Sequence, residues 1–88
     1  MSPVIGIFLQ RLPATINNIR NAFEKNDWPQ LSIYSHQLKG AAGGYGYPDL
    51  TRVCGLIENV VTGNDAPQPE KILPILKELE ALRDQILM

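Results

Sequence analysis

The 88-residue sequence has one cysteine, one histidine and no long apolar run. A single cysteine excludes an internal disulfide, so a packed core must stabilise the fold. The stretch from Val4 to Leu12 is too short to span a bilayer, and the N-terminus lacks the basic and apolar regions of a signal peptide. We therefore expect a cytoplasmic chain with a reduced thiol. The chain could be free-standing or a module of a larger membrane-bound protein.

The chain also has little net charge, since 8 Lys and Arg stand against 9 Asp and Glu. No basic stripe is present, so we expect no nucleic-acid partner and no direct membrane contact. A chain of this length forms one domain, here residues 1–88, and buries roughly 60% of its unfolded surface. Little room remains for a deep cleft, so we expect the function to lie on the surface. We also expect a monomer.

Four segments carry apolar residues at helical spacing, and none alternates as a strand does. The first is predicted from about Pro3 to Asn26, with Ser2 as its cap and a kink or restart at Pro13. The second is predicted to begin after the capping residue Asp27 and to run to about Gly44.

The third segment is predicted to start near Pro48 and to end in a left-handed cap at Gly63-Asn64, with a loop over 64–68. The sequence does not specify where the fourth segment begins, because a single first turn cannot accommodate both Pro69 and Pro74. Its Glu80 and Arg83 suit a solvated face. The fold class predicted is all-α, an antiparallel up-and-down four-helix bundle.

The only histidine, His36, lies in the second helix but away from its apolar side. At about 100° per residue it points roughly 140–160° from the middle of the apolar arc. That arc consists of Leu31, Tyr34, Ser35, Leu38, Ala42 and Tyr45. We therefore expect an exposed imidazole, which is a nucleophile near neutral pH.

Two neighbours of His36 suit a phosphoryl carrier. Lys39, at i+3, lies within reach of a phosphoryl group on the ring and could offset its charge. Gly40, at i+4, lies on the same side, although a mid-helix glycine costs about 1 kcal/mol relative to alanine. The bare backbone there would let a partner approach closely.

These residues form part of a longer pattern. The sequence His36-Gln37-Leu38-Lys39-Gly40, followed by Gly46, Leu50, Cys54 and Glu58, resembles the histidine-containing phosphotransfer domain family. Two positions depart from it: Ser35 stands where the family usually has alanine, and Ala41 where it often has serine. Both changes exchange one small residue for another.

The resemblance implies a phosphorelay intermediate without kinase activity, which takes a phosphoryl group from one receiver aspartate and gives it to another. His36 would be the phosphoacceptor, Lys39 would stabilise the phosphoryl group, and Gly40 would allow docking. The partners would be receiver domains of a hybrid sensor kinase or a response regulator, which would supply Mg²⁺, while this chain would bind no cofactor. The docking patch would be bordered by Ser32, Ile33, Gln37 and Gly43.

Other interpretations remain open. The chain could be the phosphoacceptor module of a chemotaxis-type kinase, or a helical adaptor with an idle histidine. Lys39 could be a solubilising charge, and Gly40 could permit close helix packing. A metal site is not expected, because His36 and Cys54 lie on opposite-facing registers. A Ser-His-Asp arrangement is not expected either, since no acid that would orient the imidazole can be identified.

Overall fold

The structure, a computed structural model, describes residues 3–63 and 68–88. Four helices make up nearly all of that part of the chain, which contains no strand. They are α1 Pro3–Glu24, α2 Trp28–Tyr45, α3 Pro48–Thr62 and α4 Pro69–Ile86. The all-α prediction is confirmed, whereas the Ser2 cap and most of the predicted 64–68 loop lie outside the described residues.

The helices form a four-helix bundle around one apolar core. Helix α1 packs against α2 and α4, and α3 packs against α2 and α4. The connections at 25–27 and 46–47 are of the short length that joins antiparallel neighbours. None of the described helices is long and apolar enough to cross a membrane. The core consists of Leu12, Ile16, Ile19, Ala22, Leu31, Leu38, Ala42, Leu50, Val53, Cys54, Ile57, Ile72, Leu76 and Leu79.

Both ends of α2 are capped. The Asp27 carboxylate accepts a hydrogen bond from the Gln30 backbone N–H at 3.3 Å, which confirms the predicted start. Gly46 closes the helix in the left-handed conformation, with φ 83°, and its N–H bonds to the Ala42 carbonyl. Glycine adopts this conformation without the penalty of a Cβ, so the chain can turn at once into α3.

The left-handed cap predicted for α3 at Gly63-Asn64 is wrong at Gly63, and Asn64 lies outside the described residues. Gly63 has φ −67° and ψ 171°, which is extended backbone. A left-handed residue reverses the chain immediately, as Gly46 does between α2 and α3. The chain leaves α3 in an extended direction instead, so no reversal occurs at Gly63.

The prolines inside the helices interrupt less than the sequence predicts. Helix α1 continues through Pro13, so the predicted restart is wrong. Pro13 is exposed, and the buried side chains of Leu12 and Ile16 hold both halves of α1 on the core. Helix α4 contains both Pro69, in its first turn where no N–H is needed, and Pro74.

The prediction that Glu80 lies on a solvated face with Arg83 is wrong. It accepts two hydrogen bonds from Arg20 of α1, at 3.0 Å from Nε and 2.6 Å from Nη2. Arg83 pairs with Asp84 instead. The Arg20 guanidinium binds both oxygens of the Glu80 carboxylate, and this two-point contact links α1 to α4.

Aromatic side chains pack at two junctions between helices. The Phe8 ring lies 4.8 Å from that of Tyr45 and 5.7 Å from that of Tyr47, measured between centroids. Trp28, at the start of α2, packs edge-on against Phe23 at 6.3 Å. These contacts fix the ends of α2 and hold its polar face outward.

Candidate functional site

His36 projects from the solvent-facing side of α2. Its side chain is 68% exposed. Leu31, Leu38 and Ala42 occupy the opposite side of the helix and are buried in the core. The predicted exposed imidazole is therefore confirmed by the geometry.

A carboxylate from α3 holds this imidazole. Glu58 Oε2 lies 2.8 Å from His36 Nδ1, and Glu58 Oε1 lies 2.8 Å from Lys39 Nζ. Each oxygen of one carboxylate thus binds one of two side chains that lie a helical turn apart on α2. We call His36, Lys39 and Glu58 the Glu58 cluster.

The electrostatics of the Glu58 cluster favour an ionised carboxylate. The hydrogen bond from Lys39 lowers the pKa of Glu58 below its usual range, and the hydrogen bond with His36 adds to this. Partial burial, with 18% of the Glu58 side chain exposed, opposes the shift but does not reverse it. The carboxylate is therefore an acceptor at neutral pH.

This pairing determines which ring nitrogen carries the proton. An ionised carboxylate only accepts hydrogen bonds, so His36 Nδ1 must be the donor and carry hydrogen. In a neutral imidazole the lone pair then lies on Nε2, the nitrogen on the far side of the ring. The Glu58 cluster thus leaves Nε2 as the nucleophilic atom of an exposed ring.

Helix α3 also holds the backbone of α2 beside this cluster. Thr51 Oγ1 lies 3.3 Å from the carbonyl oxygens of both Lys39 and Tyr47. A Cβ on Gly43 would lie 3.6 Å from the same hydroxyl. Small residues at these positions bring the helices close enough for Glu58 to reach both α2 side chains.

The predicted docking residues lie around His36, though not all on the same side. A Cβ on Gly40 would meet nothing within 4 Å, so Gly40 does not serve close helix packing. Ile33 is 47% exposed and Gln37 is exposed, whereas Ser32 is half-buried. Gly43 is exposed but borders α3, at the edge of the patch.

A groove of about 310 Å³ runs between α1 and α2 beside this patch. Gln37 and Ala41 form its α2 wall next to His36. Ile7, Phe8 and Arg11 line it from α1. The exposed surface near His36 is therefore apolar and concave on the α1 side and polar on the α3 side, where Glu58 lies.

Two other reactive side chains near the site, Cys54 and Ser35, are buried. Burial raises the pKa of the Cys54 thiol to about 12, so this core residue is inert. Ser35 is fully buried, which excludes it as a partner of His36 in a Ser-His-Asp arrangement, and its hydroxyl has no hydrogen-bond partner in the described part of the chain. Within residues 3–63 and 68–88, no group of three His, Cys, Asp or Glu side chains could hold a metal ion.

The contact of Glu58 with the imidazole was not predicted from the sequence, where Glu58 appears only as part of a family pattern. The prediction that no acid orients the imidazole is wrong. A signal was present, because Glu58 lies within the apolar stripe of α3, four residues after Cys54 and three before Val61. An acid at the edge of a core needs a partner, and the neighbouring α2 carries two candidates.

Comparison with known proteins gives one family match. A family model described as the Hpt domain matches residues 3–85. Neither the curated proteins nor the solved structures include a significant match to the chain. The family match covers all four helices almost completely.

Proposed function

Because the chain belongs to the Hpt domain family, we propose that it is a phosphorelay intermediate that carries a phosphoryl group on His36. Hpt domains act in histidine phosphotransfer of two-component signalling, exchange phosphoryl groups with receiver domains and are phosphocarriers rather than kinases. One observation carries the assignment to His36: an exposed imidazole is held through Nδ1 by Glu58, with Nε2 free to react.

The transfer begins with a receiver whose aspartate carries a phosphoryl group. The lone pair of His36 Nε2 attacks phosphorus, the bond between phosphorus and the aspartate oxygen breaks, and the aspartate leaves as a carboxylate. The ring then has phosphorus on Nε2 and hydrogen on Nδ1, and it is positively charged. Glu58 stabilises that charge through its 2.8 Å contact, and the same steps in reverse deliver the phosphoryl group to a second receiver.

Lys39 supports the phosphoryl group in this scheme. Its ammonium already lies beside the imidazole, 2.8 Å from Glu58, and 36% of its side chain is exposed. One turn of helix separates Lys39 from His36, so a change of side-chain rotamer brings Nζ toward the oxygen atoms of a phosphoryl group bound to Nε2. A charged donor to a phosphoryl oxygen makes a strong hydrogen bond.

We assign receiver docking to the exposed patch of Ile33, Gln37 and Gly40, bordered by Ser32 and Gly43. Gly40 leaves backbone uncovered one turn from His36, and the adjoining groove offers an apolar wall with Arg11 at its edge. Such a surface suits an amphipathic segment of a receiver with an acidic residue. In this proposal the receiver also brings the Mg²⁺ ion that neutralises the phosphoryl oxygens.

Several sequence-based expectations about the setting of this function stay predictions. They are a single domain over residues 1–88, a monomeric state, a cytoplasmic location and the absence of nucleic-acid and direct membrane contacts. The free, buried Cys54 is compatible with a reducing compartment.

The experiment that tests the proposal is transfer from a phosphorylated receiver, purified away from any kinase and from ATP. We expect the chain to become labelled with an acid-labile, alkali-stable phosphoryl group, and His36→Gln to remove the label completely. Circular dichroism of the variant should match the wild type, since the ring is exposed.

The alternatives give different outcomes in the same experiment. A chemotaxis-type module would take no label from receivers but would be labelled by an ATP-binding kinase domain. An adaptor with an idle histidine would take label from neither source, and His36→Gln would leave its signalling intact. Either outcome contradicts the relay proposal.

A further inference from the structure

Gly55 occupies the middle of α3 without any backbone reason for glycine. In the described part of the chain only Gly46 among the glycines has a positive φ, so Gly55 is ordinary helix. Mid-helix glycine lowers helix stability relative to alanine. What lies over Gly55 therefore limits the size of the side chain that this position can carry.

The side chain of Lys39 lies over Gly55. A Cβ built on Gly55 would be 3.5 Å from Lys39 Cδ, an ordinary van der Waals contact. The Lys39 ammonium ends 2.8 Å from Glu58, which is one turn further along α3. The lysine stem thus crosses α3 at Gly55 before its charge reaches the carboxylate.

Three positions on one face of α3 act on Lys39 together. Thr51 holds the Lys39 carbonyl, Gly55 leaves space for the stem, and Glu58 binds the ammonium. The spacing of four and then three residues is that of a single helix face. A side chain longer than Cβ at position 55 would occupy the path of the stem.

From this geometry we propose that Gly55 is a positioning residue for phosphotransfer, which seats the Lys39 side chain so that its ammonium reaches Glu58 beside His36. The inference rests on the proposed function for its effect on transfer, but the seating of Lys39 is testable without it. Gly55 touches neither the phosphoryl group nor the imidazole in this account.

The test compares Gly55→Leu with Gly55→Ala as its matched control. Alanine adds only the Cβ that fits, while leucine extends into the lysine path, and both are better helix formers than glycine. The first readout is the pKa of the Glu58 carboxyl group, measured by ¹³C NMR. We expect Gly55→Leu to raise this pKa to the value found in Lys39→Ala, and Gly55→Ala to leave it unchanged.

The second readout is the rate of transfer from a phosphorylated receiver. We expect Gly55→Leu to slow it roughly tenfold, the effect of one misplaced charged donor, and Gly55→Ala to leave it unchanged. In a Lys39→Ala background, Gly55→Leu should add no further loss, because the side chain it displaces is already gone. Unchanged thermal unfolding of both variants would confirm that they fold.

Each other outcome has a distinct meaning. A Glu58 pKa unchanged in Gly55→Leu overturns the seating of Lys39, and an equal loss of rate in the Lys39→Ala background overturns its role in transfer. A wild-type chain that accepts no phosphoryl group overturns the proposed function. The pKa comparison then decides separately whether Gly55 seats Lys39.

Discussion

Two charge clusters link helices of this bundle, and they use the same chemistry to different effect. Between α2 and α3, Glu58 accepts hydrogen bonds from Lys39 and His36. Between α1 and α4, Glu80 accepts two from Arg20. Hydrogen bonds from the neighbouring helix lower the pKa of both carboxyl groups.

The clusters differ in their donors. Arg20 binds Glu80 through two nitrogens and Glu24 through a third, at 3.1 Å, so all three nitrogens of its guanidinium donate to carboxylates. Glu58 instead binds two separate side chains, and one of them is a ring with a second nitrogen. The cluster of Arg20 and Glu80 therefore only joins helices, while the Glu58 cluster joins helices and also presents the free ring nitrogen of His36. Donor identity, more than the presence of an ion pair, is what distinguishes the cluster to which we assign phosphotransfer from the one that links helices.

Outside the Glu58 cluster, the substitution with the largest expected effect is at Gly40. Gly40→Glu should weaken receiver binding at least tenfold, because it places a charged side chain on the backbone surface that a receiver must approach. Binding can be followed by calorimetry with the unphosphorylated receiver. The matched control is Ala81→Glu on exposed α4, which adds the same charge far from α2 and should leave affinity unchanged. Equal affinity of both variants would remove the docking assignment.

A pair of methionine substitutions separates the two clusters. Arg20→Met should lower the free energy of unfolding by about 1–2 kcal/mol, because the half-buried Glu80 loses both of its hydrogen bonds. Lys39→Met should cost less than about 0.5 kcal/mol, since Glu58 keeps His36, yet it should slow transfer. Urea unfolding and receiver-dependent labelling of both variants give the comparison. A transfer defect in Arg20→Met would show that the clusters are not functionally separate.

The smallest expected effect is the loss of unfolding free energy at low pH. A carboxyl group whose pKa is lowered by folding contributes stability above its unfolded pKa, and that contribution is lost as pH falls through the folded pKa. For Glu58 and Glu80 the folded pKa is lowered, so the loss begins as pH falls past the usual carboxyl pKa of about 4.3 and continues below it. Between pH 5 and 3 the unfolding free energy should fall less steeply in Glu58→Gln and in Glu80→Gln than in the wild type. Of the two, only Glu58→Gln should also change labelling at neutral pH.

The sequence predicted most of the fold because apolar spacing is a property of each helix alone. The Asp27 cap, the buried Cys54 and the exposed His36 all follow from residues within one turn of each other. The failures at Pro13 and Glu80 occurred where the answer depended on a second helix. Pro13 remains within one helix because the core holds both halves of α1, and Glu80 turns to α1 because Arg20 binds both of its carboxylate oxygens.

The same limit applies to the site. His36, Lys39 and Gly40 could be predicted together because they share one face of α2. Glu58 and Gly55 lie on α3, and their contacts with Lys39 depend on the register between two helices. Spacing within a segment does not specify that register. The half-buried position of an acid in an apolar stripe was the available signal.

The central claim is that Glu58 holds Nδ1 of an exposed His36 so that Nε2 takes the phosphoryl group. The most direct measurement is the ¹⁵N–³¹P coupling in the isotope-labelled chain after transfer from a phosphorylated receiver. We predict direct coupling of phosphorus to Nε2, with hydrogen retained on Nδ1 and bonded to Glu58. Phosphorus on Nδ1, or a ring that takes no phosphorus from a receiver, would contradict the account.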